Sequence, residues 1–248
     1  MHLKTRGLIL KEQNIGERDK LVTVLTEARG TLRAFVRGAK SVKSKKAAAT
    51  SKFCYAELTL TRNKDSYIID EARPIEMFFK LRDSLDRLAL AEYLLELGFA
   101  FSPEEENAKE NLRIILNSLY FLCNGTYPPK QLKSVTELRL LSLSGYAPNL
   151  VACDRCGCFE SDTMYFDMEH GLLYCDNCAP AAAPFALPLG LVSAMRHIIF
   201  SEMKSLYQFK LDPALLEELS YITETYLLRK AEHRFKTLEF YNSVQALR

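Results

Sequence analysis

Residues 2–73 alternate between apolar and polar positions with the two-residue period of β-strands. Five runs rich in apolar and β-branched residues occur there, at residues 8–10, 21–26, 31–36, 55–61 and 67–69. Gly16 and Gly30 separate the first three runs, and a long polar gap separates the third run from the fourth. This spacing predicts a five-stranded Greek-key barrel of the OB type, with an SH3-like barrel as the alternative.

From residue 74 onward the apolar positions repeat with the period of an α-helix, as Leu112, Ile115, Leu116 and Leu119 show. Similar stripes cover residues 85–100, 131–144, 190–206 and 213–229, with start signals at Ser84, Ser102-Pro103 and Asp212-Pro213. A cysteine-containing segment interrupts them. The pattern predicts an α+β multidomain protein with an N-terminal OB-fold β-barrel at 1–80, a mainly α-helical C-terminal domain at 81–149 and 183–248, and an inserted tetracysteine, zinc-ribbon-like module at 150–182.

The candidate chemistry of the inserted segment comes from two Cys-x-x-Cys pairs. Cys153 and Cys156 form the first pair, Cys175 and Cys178 form the second, and positions 157–174 separate them. Two such pairs can converge on one tetrahedral ion, because each supplies two thiolates from a tight turn. All four ligands come from the protein, so the predicted site is closed and structural, with Zn²⁺ as the expected ion.

The segment between the pairs, residues 164–174, is predicted to form two short strands about a turn at His170-Gly171, as in a zinc ribbon. A dithiol redox pair and a site that has lost its metal are the alternatives. Cys158 could substitute for Cys156, although the paired spacing favours Cys156. Cys54 and Cys123 lie in apolar patterns and are predicted to be core residues.

The net charge of +2 conceals a strong asymmetry along the chain. Residues 1–80 carry 17 Lys and Arg against 9 Asp and Glu, whereas the remaining residues carry 16 against 22. From Arg29 to Lys52 there are eight positive residues and no negative one. Such a segment neutralises phosphates without sequence preference, which indicates a nucleic-acid partner. An ordinary solvated surface is the alternative, and residues 38–50 are predicted to form a mobile loop.

On the predicted third strand, cations and an aromatic residue share one face. Arg33, Phe35 and Arg37 fall at a period of two, and Leu32, Ala34 and Val36 fall on the opposite face. A face of this kind suits the stacking of single-stranded bases, unless Phe35 is covered by the following loop. The predicted nucleic-acid contacts, which include the first interstrand loop, are Arg18, Lys20, Arg33, Phe35, Arg37, Lys40, Lys43, Lys45 and Lys46.

Sequence motifs of catalysis are absent. The chain has no Walker A loop, no His-Glu-x-x-His and no Gly-x-Ser-x-Gly, and its four histidines are scattered. We therefore predict no catalytic residues.

No signal peptide and no run of about 20 apolar residues is evident, and an odd number of cysteines suits a reducing compartment. These features predict a soluble cytoplasmic protein and no membrane partner.

Several local motifs are similar to those of a known family. Those of the basic region are Leu8-Ile-Leu-Lys, Gly16-Glu-Arg-Asp-Lys-Leu, Thr26-Glu-Ala-Arg-Gly and Arg37-Gly-Ala-Lys. Residues 138–148, followed by the Cys153 pair, are similar to the family's transition from helix to zinc site. Together with the order of barrel, helical body and tetracysteine insert, they make nearly the whole chain resemble the bacterial RecO family.

The resemblance implies a non-enzymatic, nucleoid-associated DNA-repair protein that binds single- and double-stranded DNA and anneals complementary strands. It implies cooperation with RecR to load RecA onto DNA covered by single-strand-binding protein. The acidic C-terminal tail of that protein is expected to dock on the helical domain, where residues 229–236 are a candidate cationic stretch. From the residues alone, a zinc-ribbon transcription or RNA-binding factor and a DNA-processing enzyme with an accessory structural zinc remain open.

Overall fold

The computed structural model describes residues 2–40, 44, 46–64, 66–180 and 185–247. It divides into two compact units, of which the first comprises residues 1–124 and 235–248 and the second residues 125–234. The first unit contains the barrel strands and the helices that directly follow them. The finer division into four segments stays a prediction.

The five predicted strands are present, and they form a closed barrel in the order β1-β2-β3-β5-β4. Their bounds are β1 His2–Ile15, β2 Asp19–Thr26, β3 Gly30–Val36, β4 Cys54–Asn63 and β5 Ser66–Met77. All neighbouring strands are antiparallel except β3 and β5, which run parallel. Because this order closes on itself, each strand is paired with a neighbour on both sides, and no strand lies at an open edge of the sheet.

The core of the barrel is built from the inward row of each strand, and the connection between β3 and β4 contributes to it. Ala39 and Ala49 are almost fully buried within this core, and Thr50 is buried beside them, with its hydroxyl donating to the carbonyl of Lys46 at 2.8 Å. The prediction of a mobile loop is therefore wrong for these residues, because their small side chains pack into the barrel interior. Residues 41–43 and 45 lie outside the described part of the chain.

The described residues contain six α-helices, with bounds α1 Leu85–Ala100, α2 Lys109–Asn124, α3 Pro129–Leu141, α4 Leu189–Phe200, α5 Pro213–Lys230 and α6 Lys236–Gln245. All five predicted apolar stripes lie on helices, although α3 and α4 each end before the end of the predicted stripe. The start predicted at Ser102-Pro103 is wrong. Helix α2 begins at Lys109, whose backbone N–H donates to the Asn107 side chain at 3.0 Å. Asp212 confirms its start signal, accepting from the Leu215 N–H at 3.0 Å.

Helix α6 was not predicted, and it returns the chain to the first unit. The Phe235 ring before it lies 5.9 Å from the ring of Tyr93 on α1, and the Thr237 N–H donates to the Glu96 carboxylate at 3.0 Å.

In the second unit, β6 Thr163–Asp167, β7 Leu172–Cys175 and the unpredicted β8 Phe185–Pro188 form an antiparallel sheet in the order β7-β6-β8. Among the described residues, no helix has the length and apolarity needed to cross a bilayer.

A buried ion-pair network joins α3 to α5 in the second unit. The Lys133 ammonium, whose side chain is 1% exposed, lies 2.9 Å from the carboxylates of Glu137 and Glu224 and donates to the Ser220 carbonyl at 3.1 Å. The Thr223 hydroxyl donates to Glu137 at 2.6 Å. All three protons of the ammonium group thus have acceptors, which offsets the cost of removing the charge from water.

Replacing Lys133 with Ala would leave the Glu137 carboxylate buried without its cation. We expect Lys133→Ala to lower the free energy of unfolding by about 3–5 kcal/mol. Lys130→Ala is the matched control, because Lys130 lies on the same helix as Lys133 but its ion pair with Glu217 of α5 is accessible to solvent, so its loss should cost less than about 1 kcal/mol. Urea unfolding followed by circular dichroism measures the free energy of unfolding of each variant. Equal destabilisation by the two substitutions would contradict the claim that the buried ion pair contributes more than the exposed one.

Candidate metal centre and nucleic-acid interface

The fold of the second unit brings the two Cys-x-x-Cys pairs together. The Sγ atoms of Cys153, Cys156, Cys175 and Cys178 all lie within 4.8 Å of one another, and those of Cys156 and Cys175 are 3.6 Å apart. A tetrahedral ion with bonds of about 2.3 Å to sulfur keeps its ligands about 3.8 Å apart. The four predicted ligands therefore fit a single thiolate-bound metal ion.

The β6–β7 hairpin explains why the pairs meet. Its antiparallel register sets Met164 opposite Cys175, so β7 delivers the second pair beside the first. The Asp154 N–H donates to the Leu173 carbonyl at 2.8 Å and ties the first pair to β7. Gly171 in the predicted turn has a φ of +70°, and a Cβ there would lie 2.7 Å from the hydroxyl oxygen of Tyr226. This turn therefore requires glycine.

The thiols of the cluster differ in their proton affinity. Burial raises the pKa of Cys153, but backbone N–H groups of Cys175, Cys156 and Arg155 stabilise its thiolate more strongly, so that its pKa falls to about 6. A hydrogen bond with Cys156 raises the pKa of Cys178 to about 12. The thiolate is the metal ligand, so metal binding releases protons from the cluster and is weakened by acid.

Cys158 lies outside the cluster of four. Its thiol donates to the Glu160 carbonyl at 3.1 Å, while its own carbonyl accepts from the Cys153 N–H at 2.8 Å. Cys54 and Cys123 are buried, as predicted, and burial raises the pKa of Cys54 to about 11. The structure thus separates the four close thiols from the three others.

Arg196 on α4 holds the loop of the first pair, and it was not predicted from the sequence. Its guanidinium donates to the carbonyls of Leu150 at 2.7 Å, Val151 at 3.1 Å and Phe159 at 2.6 Å. It also lies 4.1 Å from the centre of the Phe159 ring. A single arginine in an apolar helix carries no sequence signal for this role, because its acceptors are main-chain carbonyls distant along the chain.

In the first unit, the described part of β3 has the predicted alternation. Leu32, Ala34 and Val36 are buried, Arg33 is exposed, and Phe35 is half-buried. Phe35 lies opposite Leu21 on β2 and Ile68 on β5, both of which are half-buried. The outer surface of the barrel therefore combines a partly accessible aromatic ring with a neighbouring arginine.

The first interstrand loop lies beside the end of β3. The Lys40 N–H donates to the Arg18 carbonyl at 3.1 Å, and the Gly38 N–H donates to the Asp19 carboxylate at 2.8 Å. Arg18, Arg37 and Lys40 are all exposed. Within the described chain, none of these three or Arg33 forms an ion pair, although the Lys40 ammonium donates to the Gly16 carbonyl at 3.1 Å.

Other predicted contacts are less available. Lys20 is half-buried and paired with Glu12 at 2.8 Å, and the Lys46 ammonium donates to the Ile69 carbonyl at 3.1 Å. Lys43 and Lys45 lie outside the described residues. Among the predicted contacts that the structure describes, the cations without an ion pair are Arg18, Arg33, Arg37 and Lys40. We call these four cations and Phe35 the barrel rim.

Comparison with known proteins places the chain in one family. A family model described as "Recombination protein O N terminal" matches residues 1–78, and one described as "Recombination protein O C terminal" matches residues 82–239. The chain belongs to the RecO family.

Full-length relatives agree with this assignment. A protein named DNA repair protein RecO from Acetivibrio thermocellus is 32% identical over 248 residues, covering 100% of this chain and 99% of that relative. One of the same name from Clostridium novyi is 29% identical over 239 residues, covering 96% of this chain and 93% of the relative. The similarity to RecO relatives thus spans the barrel, the helices and the segment that carries the cysteine cluster.

Metal content tests the geometry of the cluster. We expect Cys175→Ser to lose the bound metal, because only three thiolates remain, and to unfold at a lower temperature. Cys158→Ser is the matched control and should keep one ion per chain, since its thiol faces Glu160. Plasma mass spectrometry of freshly purified protein measures the ion. Retention of a full equivalent by the Cys175 variant would contradict the four-thiolate site.

Proposed function

We propose that this chain is a DNA-binding and strand-annealing protein of DNA repair and recombination, and that it acts without catalysing a covalent reaction. The observation that carries the proposal is the barrel rim, where Arg33 and Phe35 project from one row of β3 in a chain of the RecO family. Arginines of this kind neutralise phosphates, and an accessible ring stacks on bases of any identity.

The barrel itself supports the assignment to the OB type. Five strands close in the order β1-β2-β3-β5-β4, and the connection between β3 and β4 contributes Ala39 and Ala49 to the core. In this class, single strands bind across the outer face of the middle strands and the first interstrand loop. Arg18, Arg33 and Phe35 lie in these places.

The metal of the cysteine cluster is proposed to be structural Zn²⁺. Four protein thiolates fill a tetrahedral shell, and Zn²⁺ prefers this ligand set in closed sites. When bound, the ion holds the hairpin to the first Cys-x-x-Cys pair. Arg196 and Tyr226 then orient the same module through the Leu150 and Tyr146 carbonyls, which they reach at 2.7 Å and 3.0 Å.

The role as a mediator extends the proposal to protein partners. We propose that the chain acts with RecR on strands covered by single-strand-binding protein and thereby assists loading of RecA. The candidate stretch for the acidic tail of single-strand-binding protein, residues 229–236, includes Arg229, which lies 3.2 Å from Glu169, and Lys230, which donates to the Glu169 carbonyl at 2.6 Å. A docking tail would compete with Glu169 for Arg229.

Reversal of charge at the barrel rim tests the DNA interface. In Arg33→Glu and Arg37→Glu, we expect weaker binding of single strands of every sequence, with the slope of log affinity against log salt reduced by about 0.7 for each phosphate that is no longer neutralised. Fluorescence anisotropy over a salt titration measures the slope. Unchanged affinity and slope in both variants would overturn the proposed interface.

Two control variants sharpen this measurement. Phe35→Ala should weaken binding without changing the salt slope, because stacking releases no counterions. Arg73→Glu makes the same charge change on β5 and should leave binding nearly unaltered, because Arg73 lies opposite Glu57 on a row of mixed charge. Cleavage of DNA with a divalent metal, or a marked preference for RNA, would instead support an alternative function.

A strand-annealing assay tests the mediator role. We expect the wild-type chain to accelerate annealing of complementary strands covered by single-strand-binding protein. Glu169→Lys should bind the acidic tail of single-strand-binding protein more tightly, because it releases Arg229 from its ion pair. Removing the tail from single-strand-binding protein should abolish the acceleration on covered strands only. Acceleration that is independent of the tail would contradict docking through it.

A further inference from the structure

A cavity of about 320 Å³ opens beside β3, next to the barrel rim. Its wall includes Thr31, Arg33, Tyr67, Phe99, Glu104 and Glu105. Sites for small organic groups in proteins usually occupy about 300–1,000 Å³ and combine apolar walls with a few polar groups. The cavity has the size and the mixed lining of such a site, and nothing in the proposed phosphate contact explains its carboxylates.

The acidic part of the wall is a loop held against β3. The Thr31 N–H donates to the Pro103 carbonyl at 2.9 Å, and Glu104 pairs with both Gly30 and Thr31 through isolated β-bridges. Gly30 has a φ of +56°, and a Cβ there would lie 1.9 Å from the Pro103 oxygen. Glycine thus permits the close approach that brings the two carboxylates to the cavity.

The two carboxylates are arranged to accept hydrogen bonds. The Tyr67 hydroxyl contacts both oxygens of Glu105, at 3.0 Å and 2.9 Å, and Arg29 lies 3.9 Å away, so this carboxylate is held in place. A carboxylate has about four lone-pair sites, so Glu105 keeps acceptor capacity. Glu104 is exposed, and its side chain has no hydrogen-bond or ion-pair partner within the described residues.

A second observation in the same wall points to a missing partner. Thr31 is 6% exposed, and its hydroxyl has no hydrogen-bond partner among the residues that the structure describes. Buried hydroxyls are nearly always satisfied, because an unpaired one costs free energy. A ligand that carries both donors and acceptors into the cavity would satisfy it.

The remaining lining matches a nucleotide. Phe99 is half-buried, and the Lys11 ammonium lies 3.9 Å from the centre of its ring. Arg33 is exposed where the cavity meets the rim. A cation at the mouth, an aromatic wall and two carboxylate acceptors correspond to the phosphate, the ring and the amino edge of one nucleotide.

We propose that this cavity binds one unstacked base of single-stranded DNA and selects bases with an exocyclic amino group, above all cytosine. Carboxylates accept hydrogen bonds from the cytosine N4 amino group, whereas uracil and thymine present the O4 oxygen there and are repelled. The inference rests on the proposed DNA-binding function and adds a base preference to it. Stacking and phosphate contacts alone would give no such preference.

Oligonucleotides of deoxycytidine and deoxyuridine, each of about 16 nucleotides, test the proposal at fixed salt. The two bases have nearly the same shape and differ at the position that the carboxylates would contact. For the wild-type chain we expect binding of the deoxycytidine strand to be about 10-fold tighter, a typical discrimination for one well-made base contact. Glu104→Gln should remove most of this preference. Glu106→Gln, in the same loop but outside the cavity wall, should retain it.

Three results would overturn the inference, and they differ in what else they affect. Equal affinity of the wild-type chain for both strands removes the base site and leaves the DNA interface intact. Tighter binding of both strands by the same factor in Glu104→Gln would show that the carboxylate acts only as a repulsive charge. Binding of neither strand by the wild-type chain would overturn both this inference and the proposed function.

Discussion

The register of β3 is the constraint on which the N-terminal unit depends. Because β3 is hydrogen-bonded to β2 on one side and to β5 on the other, its side chains can point only into the barrel or out of it. Leu32 and Ala34 therefore fill the core while Arg33 and Phe35 reach the surface. A slip of one residue would exchange the two rows and bury the arginine. Core packing and the candidate DNA interface thus follow from the same pairing.

The second unit combines a core of buried apolar side chains, such as Leu138, Phe166 and Leu219, with directional polar contacts that fix its sheet and helices. The thiol cluster and the Arg196 guanidinium hold the cysteine segment, and the Tyr226 hydroxyl donates to the Tyr146 carbonyl just before that segment. The Lys133 network joins two helices in the same way. Such contacts are directional, so they specify one arrangement of helices where apolar packing alone would allow several.

Sequence patterns were reliable where the structural cause is local. The strands of the barrel, the five apolar helices and the hairpin at Gly171 all follow from periods and turn residues within about ten positions. Helix α6 was missed because its apolar positions are few and its partner, α1, lies in a distant part of the sequence. Lys133 and Glu137 have the spacing of an exposed helical pair, and only packing against α5 buries them.

Strand periodicity, ligand spacing and charge are short-range properties, so the residues alone predict the alternation of β3, the convergence of the two Cys-x-x-Cys pairs and the basic character of the barrel segment. Folding selects which of the predicted cations remain without an ion pair, since the pairing of Lys20 with Glu12 depends on strand register. It also decided that Glu104 lies against Gly30, because the rest of the barrel and α1 separate the two along the chain and only folding brings that loop to β3.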